Sequence, residues 1–555
     1  MTHQRNHATL AIANFSRRGL IKGIAATGGL VIAAQLPGTR AVLAYETGAD
    51  KMPHGVVTDP QVFVSIDKGG IVSIVAHRAE MGTGAARTTL PMIVADELDA
   101  EWTKVRIVQS PGDEEKYGNQ DTDGSRSVRH FIQPMRQIGA TVRLMLETAA
   151  AKRWGVNVDE VEARLHEVVH KPSGRKLGYG DLAADAAVLP VPPPDKLQLK
   201  DASTFRYMGK GNVPVVDLFD ITTGRATYGQ DVMLPGMKFA VVARPPVVQG
   251  KVATYDATET MKVPGVEKVV VIDGTAPPAK YAPLGGVAVI AADTWAALKG
   301  RTALKVTWDD GPNGSFDSVA YKTLLEENVR KPGKLERNEG EVDKALASAA
   351  RVITAEYYAP HLAHATMEPP AATARRADGK WEIWAPVQSP GGARDDVAKA
   401  LGAKPEDVTL HTTLLGGGFG RKSKCDFAIE AALLSRAMEG APGESGLDTR
   451  GRYPPRLLPH RHGGTPRSRS RQGQQSRGLA PPQRRAEPVC ELHAGSEISA
   501  IYRARHGLRR HAVQRAQRPA GKWRGAVARA GRLVPFRQQR GARVVDPVLR
   551  RRVGP

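Results

Sequence analysis

Three consecutive glycines set between a strand and a helix narrow what this chain can build. Gly416, Gly417 and Gly418 are followed by Phe419, Gly420, Arg421 and Lys422. The approach, Val408 to Leu415, is β-branched and apolar and predicts a strand. The exit, Asp426 to Met438, carries apolar residues at helical spacing and predicts a helix. Lacking Cβ atoms, the turn between them can press backbone N–H groups directly onto a bound group. It is not a Walker-type phosphate loop, because Phe419 places a large ring in it and Lys422 is not followed by Ser or Thr. Pattern alone leaves two readings, a cofactor-approach loop and a plain tight turn.

A second glycine-bearing turn lies early in the chain. Val62–Asp67 and Ile71–Val75, joined by Lys68-Gly69-Gly70, predict a β-hairpin. Glu80-Met81-Gly82-Thr83-Gly84 follows, then an apolar helix through Leu98. The loop Thr122-Asp123-Gly124-Ser125-Arg126-Ser127 precedes a helix from Val128 to Trp154. Leu189 to Pro194 is a stiff, proline-rich linker that ends the first region near residue 200. Strands are expected at Phe239–Ala243, Lys268–Ile272 and Val287–Ala291. Asp309-Asp310 and Glu326-Glu327 read as solvated surface charge, and Trp381 and Trp384 as packed in a strand. His361 and His364 have no third ligand near them, so no metal site is assigned.

These segments carry a resemblance. GGGFGRK with DFAIEAALLSR behind it resembles the molybdopterin-binding subunit of the xanthine dehydrogenase and aldehyde oxidase family. His364 to Pro369 looks like that family's HAxMEP element, and Trp384 to Pro390 like its WxPxQxP strand end. Arg225 to Trp308 resembles its α/β hammerhead domain. Residues 80–84 resemble an E-x-G-Q-G segment in which Thr83 replaces Gln, and residues 122–127 a TGGSxS loop with Asp123 in place of Gly. The early segment precedes the hammerhead, an order that resembles the branch of isoquinoline 1-oxidoreductase β-subunits. The implied fold class is α+β: an incomplete aldehyde oxidase/xanthine dehydrogenase-type molybdopterin-binding domain with an α/β hammerhead domain. Its expected parts are a permuted molybdopterin-binding segment at 55–200, the hammerhead at 210–310 and the first part of the molybdopterin-binding domain at 335–442.

The resemblance implies a molybdenum–molybdopterin cofactor in its cytosine dinucleotide form. Gly417, Gly418, Phe419, Gly420 and Arg421 would lie against it, and Gln388 would donate to an oxo ligand. Gly82, Gly84, Thr122, Ser125 and Ser127 would hold pterin or phosphate oxygens. The two glycine turns should therefore converge on one buried group. The implied reaction oxidises an aldehyde or N-heterocycle, a small molecule, with water as oxygen source. Cys425 and Cys490, the two cysteines, cannot hold an iron–sulfur cluster. Electrons would therefore need a partner, which the resemblance implies is a small two-iron, two-sulfur subunit, with a cytochrome c as a further acceptor. In this family the general base is a glutamate near the C-terminus, and residues 1–442 offer no substitute. The catalytic residue stays unknown, and the chain as written is expected not to turn over.

The two ends differ from the body. Arg17-Arg18 before the apolar stretch Gly23–Leu36 and the small residues Ala41–Ala44 form a twin-arginine export pattern over 1–45. Periplasmic localisation is expected, with no stable membrane span, since the stretch is too short. Residues 444–555 hold 25 Arg and one Lys against six Asp and Glu, which is 20 of the net +22. No sustained apolar face survives beyond Gly443, so the tail at 443–555 should be disordered or non-native. Shifted by one base, synonymous codons running from Gly443 through Arg450 to Arg452 can encode VKVVWTRED. In the same phase Ile501–Gln517 can encode FIELGMGFVDTPFNVP, and Gly531–Ala542 VGWFRSVNNVA. These look like the family's own continuation, which predicts an out-of-frame tail and no nucleic-acid partner. The alternative is an exported protein that binds polyanions or nucleic acid through a native basic tail.

Overall fold

The computed structural model describes residues 55–335, 340–440 and 442–446, and the short pairs 42–43 and 551–552. The twin-arginine motif and nearly all of the basic tail lie outside the described residues. The chain divides into two compact units, one drawn from Met1–Met237 and Thr366–Ser445, the other from Lys238–Ala365 and Gly446–Pro555.

The first unit opens with the expected hairpin, β1 (Val64–Ile66) antiparallel to β2 (Val72–Ala76). The first strand is shorter than the sequence predicts. Asp59 caps a helical turn begun by Pro60, and that turn takes up residues 60–63. β3 (Val105–Gln109) then runs parallel to β2. Helix α1 (Leu90–Leu98) follows a short π-helical stretch at Ala85–Thr89. Helix α2 (Arg126–Trp154) is 29 residues long and stops at Gly155, whose amide returns to the carbonyls of Ala151 and Lys152. Phe131, Met135, Ile138, Val142 and Leu146 form its buried stripe, packed with Ile93, Val94 and Leu98 of α1. Each such side chain contributes roughly 1.5–3 kcal/mol on burial. The helices approach so closely that a Cβ on Gly139 would stand 2.5 Å from the Val94 carbonyl. A small antiparallel sheet, β4 (Val161–Arg164), β5 (Glu167–His170) and β6 (Lys176–Gly178), leads into α3 (Tyr179–Ala187).

The chain beyond the proline-rich linker is not a free connector. Asp96 on α1 is fully buried and accepts the amides of Arg206, Tyr207 and Met208. Glu97 takes Arg136, Arg143 and the Lys200 amide, and Asp99 takes Lys200 and Arg206. Burial by itself would raise the Asp99 carboxyl. The bonds from Lys200, Arg206 and the Leu165 amide outweigh it and hold that carboxyl below its ordinary value. Residues 210–237, expected to begin the hammerhead, also belong to this first unit. Arg87 pairs with Asp217 through two bonds of 2.9 and 3.0 Å, and the Gly229 amide donates to Glu368.

The second unit holds the three strands expected for the hammerhead, each somewhat longer: β7 (Lys238–Ala243), β9 (Val266–Gly274) and β10 (Leu284–Ala291). They pair antiparallel in the order β9-β10-β7. Between β7 and β9, β8 (Lys251–Asp256) pairs with β11 (Lys305–Asp309). Helix α4 (Thr294–Ala303) packs Ala296 and Ala297 against Val241 and Ala291. Helix α5 (Ser318–Val329) is capped by Asp317, and its Tyr321 stacks on His361, a structural setting for that histidine. Residues 340–365 group with this unit by contact, and the later part of the first unit begins at Thr366.

That later part is a β-hairpin, β12 (Ala371–Ala377) with β13 (Lys380–Ala385), and a parallel strand β14 (Val408–Thr412) reached through helix α6 (Pro390–Leu401). Helix α7 (Asp426–Ala437) follows the glycine loop, as its periodicity predicts. Trp381, Ile383, Val408, Leu410, Phe427 and Ile429 form one core beneath it. The early and late parts of the unit meet at the end of β14. The Gly112 amide bonds to the Leu410 carbonyl, and Pro111 bridges to His411. Among the described residues no helix is long and apolar enough to cross a membrane.

Candidate cofactor site

The glycine loop leaves β14 with Leu414 and Leu415 still buried, so it is anchored at its start. The Leu415 amide donates to the Glu80 carbonyl at 3.0 Å, which brings the late turn against the early one. Next, the Gly416 amide donates to Glu368 Oε2 and the Gly420 amide to Gln388 Oε1, both at 2.9 Å. The three amides between them, of Gly417, Gly418 and Phe419, have no acceptor among the described residues. Phe419 holds φ at +52° and is 37% exposed. A bulky residue in the left-handed region is strained, and such strain is concentrated at functional loops.

Space around the glycines divides by side. A Cβ on Gly416 would stand 2.4 Å from Glu368 Cβ, and one on Gly418 2.4 Å from Gln388 Oε1 and 2.9 Å from Met81 Cε. These two must be glycine because protein packs against them. Gly82 and Gly420, at φ +90° and +88°, would meet nothing within 4 Å. Unused amides beside open space on a rigidly backed loop fit a flat, acceptor-rich group such as a pterin.

Several expected contacts are directed elsewhere. The amides of Gly82 and Gly84 do not face outward, because both donate to Glu80 Oε1, at 2.9 and 2.8 Å. Any role of that turn toward a bound group rests on its open Cα face. The Arg421 guanidinium is taken by Asp426 through bonds of 2.8 and 2.9 Å. Gln388 bridges the two parts of the site, donating from Nε2 to the Thr122 carbonyl while Oε1 accepts from Gly420. One Nε2 hydrogen remains for another acceptor. Thr122 Oγ1 donates to the Ala79 carbonyl, and Ser127 Oγ accepts from Arg78 Nε. Ser125, at φ +59°, caps α2 without a side-chain bond and is exposed. Thr83 Oγ1 turns back to Glu80 and accepts from the Ala85 amide.

Sequence reasoning missed the buried charges behind these loops. Lys422 is fully buried and donates to Glu368 Oε2 at 2.5 Å, while Glu368 also accepts the Gly229 and Gly416 amides. Burial lowers the Lys422 ammonium from its ordinary value, with Glu368 opposing that shift. Both residues sat inside the quoted motifs, but 54 positions apart, so nothing in the residue order pairs them. Arg78 is buried too, bonded to Ser127 and twice to Asn119, and burial lowers it to about 10. Beside it, His77 lies between Phe63 and Phe131, and burial, then Arg78, keep its imidazole well below the usual value. Among the described residues no group of three His, Cys, Asp or Glu could hold a metal ion.

Comparison with known proteins matches two stretches, the second of which crosses the boundary at Thr366. Residues 35–231 and 325–443 each match a molybdopterin cofactor-binding domain. The β-subunit of isoquinoline 1-oxidoreductase from Brevundimonas diminuta is 31% identical over 70% of this chain and 54% of its own length. A membrane-bound aldehyde dehydrogenase (pyrroloquinoline-quinone) of Gluconacetobacter polyoxogenes is 32% identical over 70% of this chain and 50% of its own. A nicotinate dehydrogenase subunit of Pseudomonas putida is 28% identical over 68% of this chain and 31% of its own. The chain thus spans about half the length, or less, of these curated relatives. With both cofactor-binding domains matched, the chain belongs to the molybdopterin-binding subunits of the molybdenum oxidoreductases, on the branch of isoquinoline 1-oxidoreductase β-subunits.

Proposed function

We propose that this chain is the cofactor-holding half of a molybdenum hydroxylase subunit, and that the cofactor is the cytosine dinucleotide form. The carrying observation is the junction of the two turns: Leu415 bonded to Glu80, with the free amides of Gly417, Gly418 and Phe419 beside the open faces of Gly82 and Gly420. When bound, the cofactor supplies two-electron oxidation of an aldehyde or N-heterocycle with oxygen taken from water. The chain's own residues position it. The three amides donate to its acceptors, the spare Nε2 hydrogen of Gln388 donates beside them, and the Phe419 ring excludes water from one wall. Ser125 and the amino end of α2 favour a phosphate. Asp123, exposed in the same loop, is paired with Arg126, which offsets its charge toward a phosphate.

Cys425 is buried and bonded to Asp396, which leaves no cluster ligands among the described residues. The electrons therefore pass to a two-iron, two-sulfur subunit and on to a cytochrome c. Export by the twin-arginine route fits a protein loaded with its cofactor before it crosses the membrane. The as-written chain binds cofactor but lacks the base that the family places beyond residue 442, and its arginine-rich tail is translated out of frame.

The test is to express the chain in a host that makes the cytosine dinucleotide and to measure molybdenum, pterin fluorescence and released CMP. All three near one per chain support the reading. Molybdenum-dependent hydroxylation by the as-written chain would overturn the assignment of the missing base. Salt-sensitive DNA or heparin binding by the whole chain, with no pterin, would favour the polyanion reading instead.

A further inference from the structure

The most heavily used side chain beside the site is Glu80. It is 3% exposed and stands in no ion pair among the described residues. Its charge is met by backbone dipoles, with the Thr83 hydroxyl as a longer contact. Oε1 accepts the amides of Gly82 and Gly84, and Oε2 those of Ala86 and Arg87 at 3.1 Å each. Thr83 Oγ1 approaches Oε1 at 3.4 Å. Four convergent amides at the start of a helical run are what a chain normally offers a free phosphate or carboxylate. Here the occupant is the chain's own side chain.

The same residue ties the turns together. The Glu80 carbonyl accepts the Leu415 amide, and Met81 is pressed against Gly418. The carboxylate therefore curls residues 81–87 around itself, while the main chain one bond away holds the late loop. We propose that Glu80 is a positioning residue: an internal anion that shapes the first glycine turn and fixes it against the second, so that the cradle exists before any cofactor arrives. The part concerning cofactor retention rests on the molybdopterin reading. The part concerning the anion nest does not.

The experiment compares the full-length parent with Glu80→Ala and Glu80→Gln. Amide hydrogen exchange is followed at the bonded amides of the two segments, Gly82, Gly84, Ala86 and Arg87 in the first and Leu415, Gly416 and Gly420 in the second, with sodium formate or, as ionic-strength control, sodium chloride. The parent should be protected at both segments and indifferent to formate. Glu80→Ala should lose protection at both, regain it with formate and not with chloride, and retain pterin roughly tenfold less well unless formate is present during loading. Glu80→Gln keeps the volume but offers only one acceptor oxygen, so it should fall between the two. Formate-insensitive loss in folded Glu80→Ala, or parent-like exchange and pterin content in both variants, would overturn the inference. If Glu80→Ala does not fold, parent-like behaviour of Glu80→Gln alone overturns it. A parent that binds no pterin, with the formate response intact, would sink the molybdopterin reading and leave the nest standing.

Discussion

At the residue scale, glycines of similar appearance do different work. Gly418 is glycine because Gln388 and Met81 lean on it, whereas Gly82 is glycine with open space before it. Gly418→Ala should force Gln388 to release Thr122 or Gly420, costing roughly 1–3 kcal/mol in a denaturant titration along with pterin. Gly82→Ala should cost about 1–2 kcal/mol, from its positive φ, yet remove pterin as completely, since its methyl enters the space meant for the group. Equal pterin content in Gly82→Ala and parent would show that the open face is not the binding face. A second residue-scale prediction concerns Glu382. The His411 imidazole, 3.7 Å away, and the Arg375 guanidinium hold its carboxyl at about 2, against 4.5 unperturbed. A depressed carboxylate contributes stability above the unfolded value and loses it as pH falls toward the folded one. The melting temperature should therefore drop between about pH 4.5 and 2, and Glu382→Gln should flatten that part of the curve.

At the scale of elements, α1 organises more of the first unit than its nine residues suggest. One face packs on α2, and its C-terminal acidic residues take hold of Lys200 and of residues 206–208. Asp96→Ala would leave the amides of Arg206, Tyr207 and Met208 without their acceptor, at a cost of at least ~2 kcal/mol. Trypsin should then cut after Lys200 or Arg206 in the folded variant at a rate not seen in the parent. Unchanged cleavage would mean that the segment is held by something other than Asp96. The helix itself was legible in sequence from its apolar spacing. The clasp was not, because an Asp that closes a buried network and one on a solvated face have the same local pattern. The PVPPP stretch suggested a spacer, and the chain just beyond it is bound down instead.

At the scale of the whole molecule, the charge step after Gly443 coincides with the end of the second matched domain. Restoring the reading frame just past codon 443 should convert the arginine-rich tail into a chain that continues the family pattern. The restored protein should hydroxylate a heterocycle or aldehyde at least a thousandfold faster than the as-written one, with steady-state turnover as the measure. Equal rates would remove the out-of-frame reading. What the sequence determined by itself was local: the strand–glycine–helix passages, the helical stripes, the hairpin, and through the order of motifs the family. Each of these rests on neighbours within a few residues, so spacing and residue type suffice to read them. Only tertiary structure decided which groups are free to act. Gly82, Gly84 and Arg421 spend their donors on Glu80 and Asp426, while Glu368 and Lys422 pair out of water behind the loop. A hydrogen bond or a buried ion pair depends on where distant segments are brought together, and residue order alone does not carry that distance.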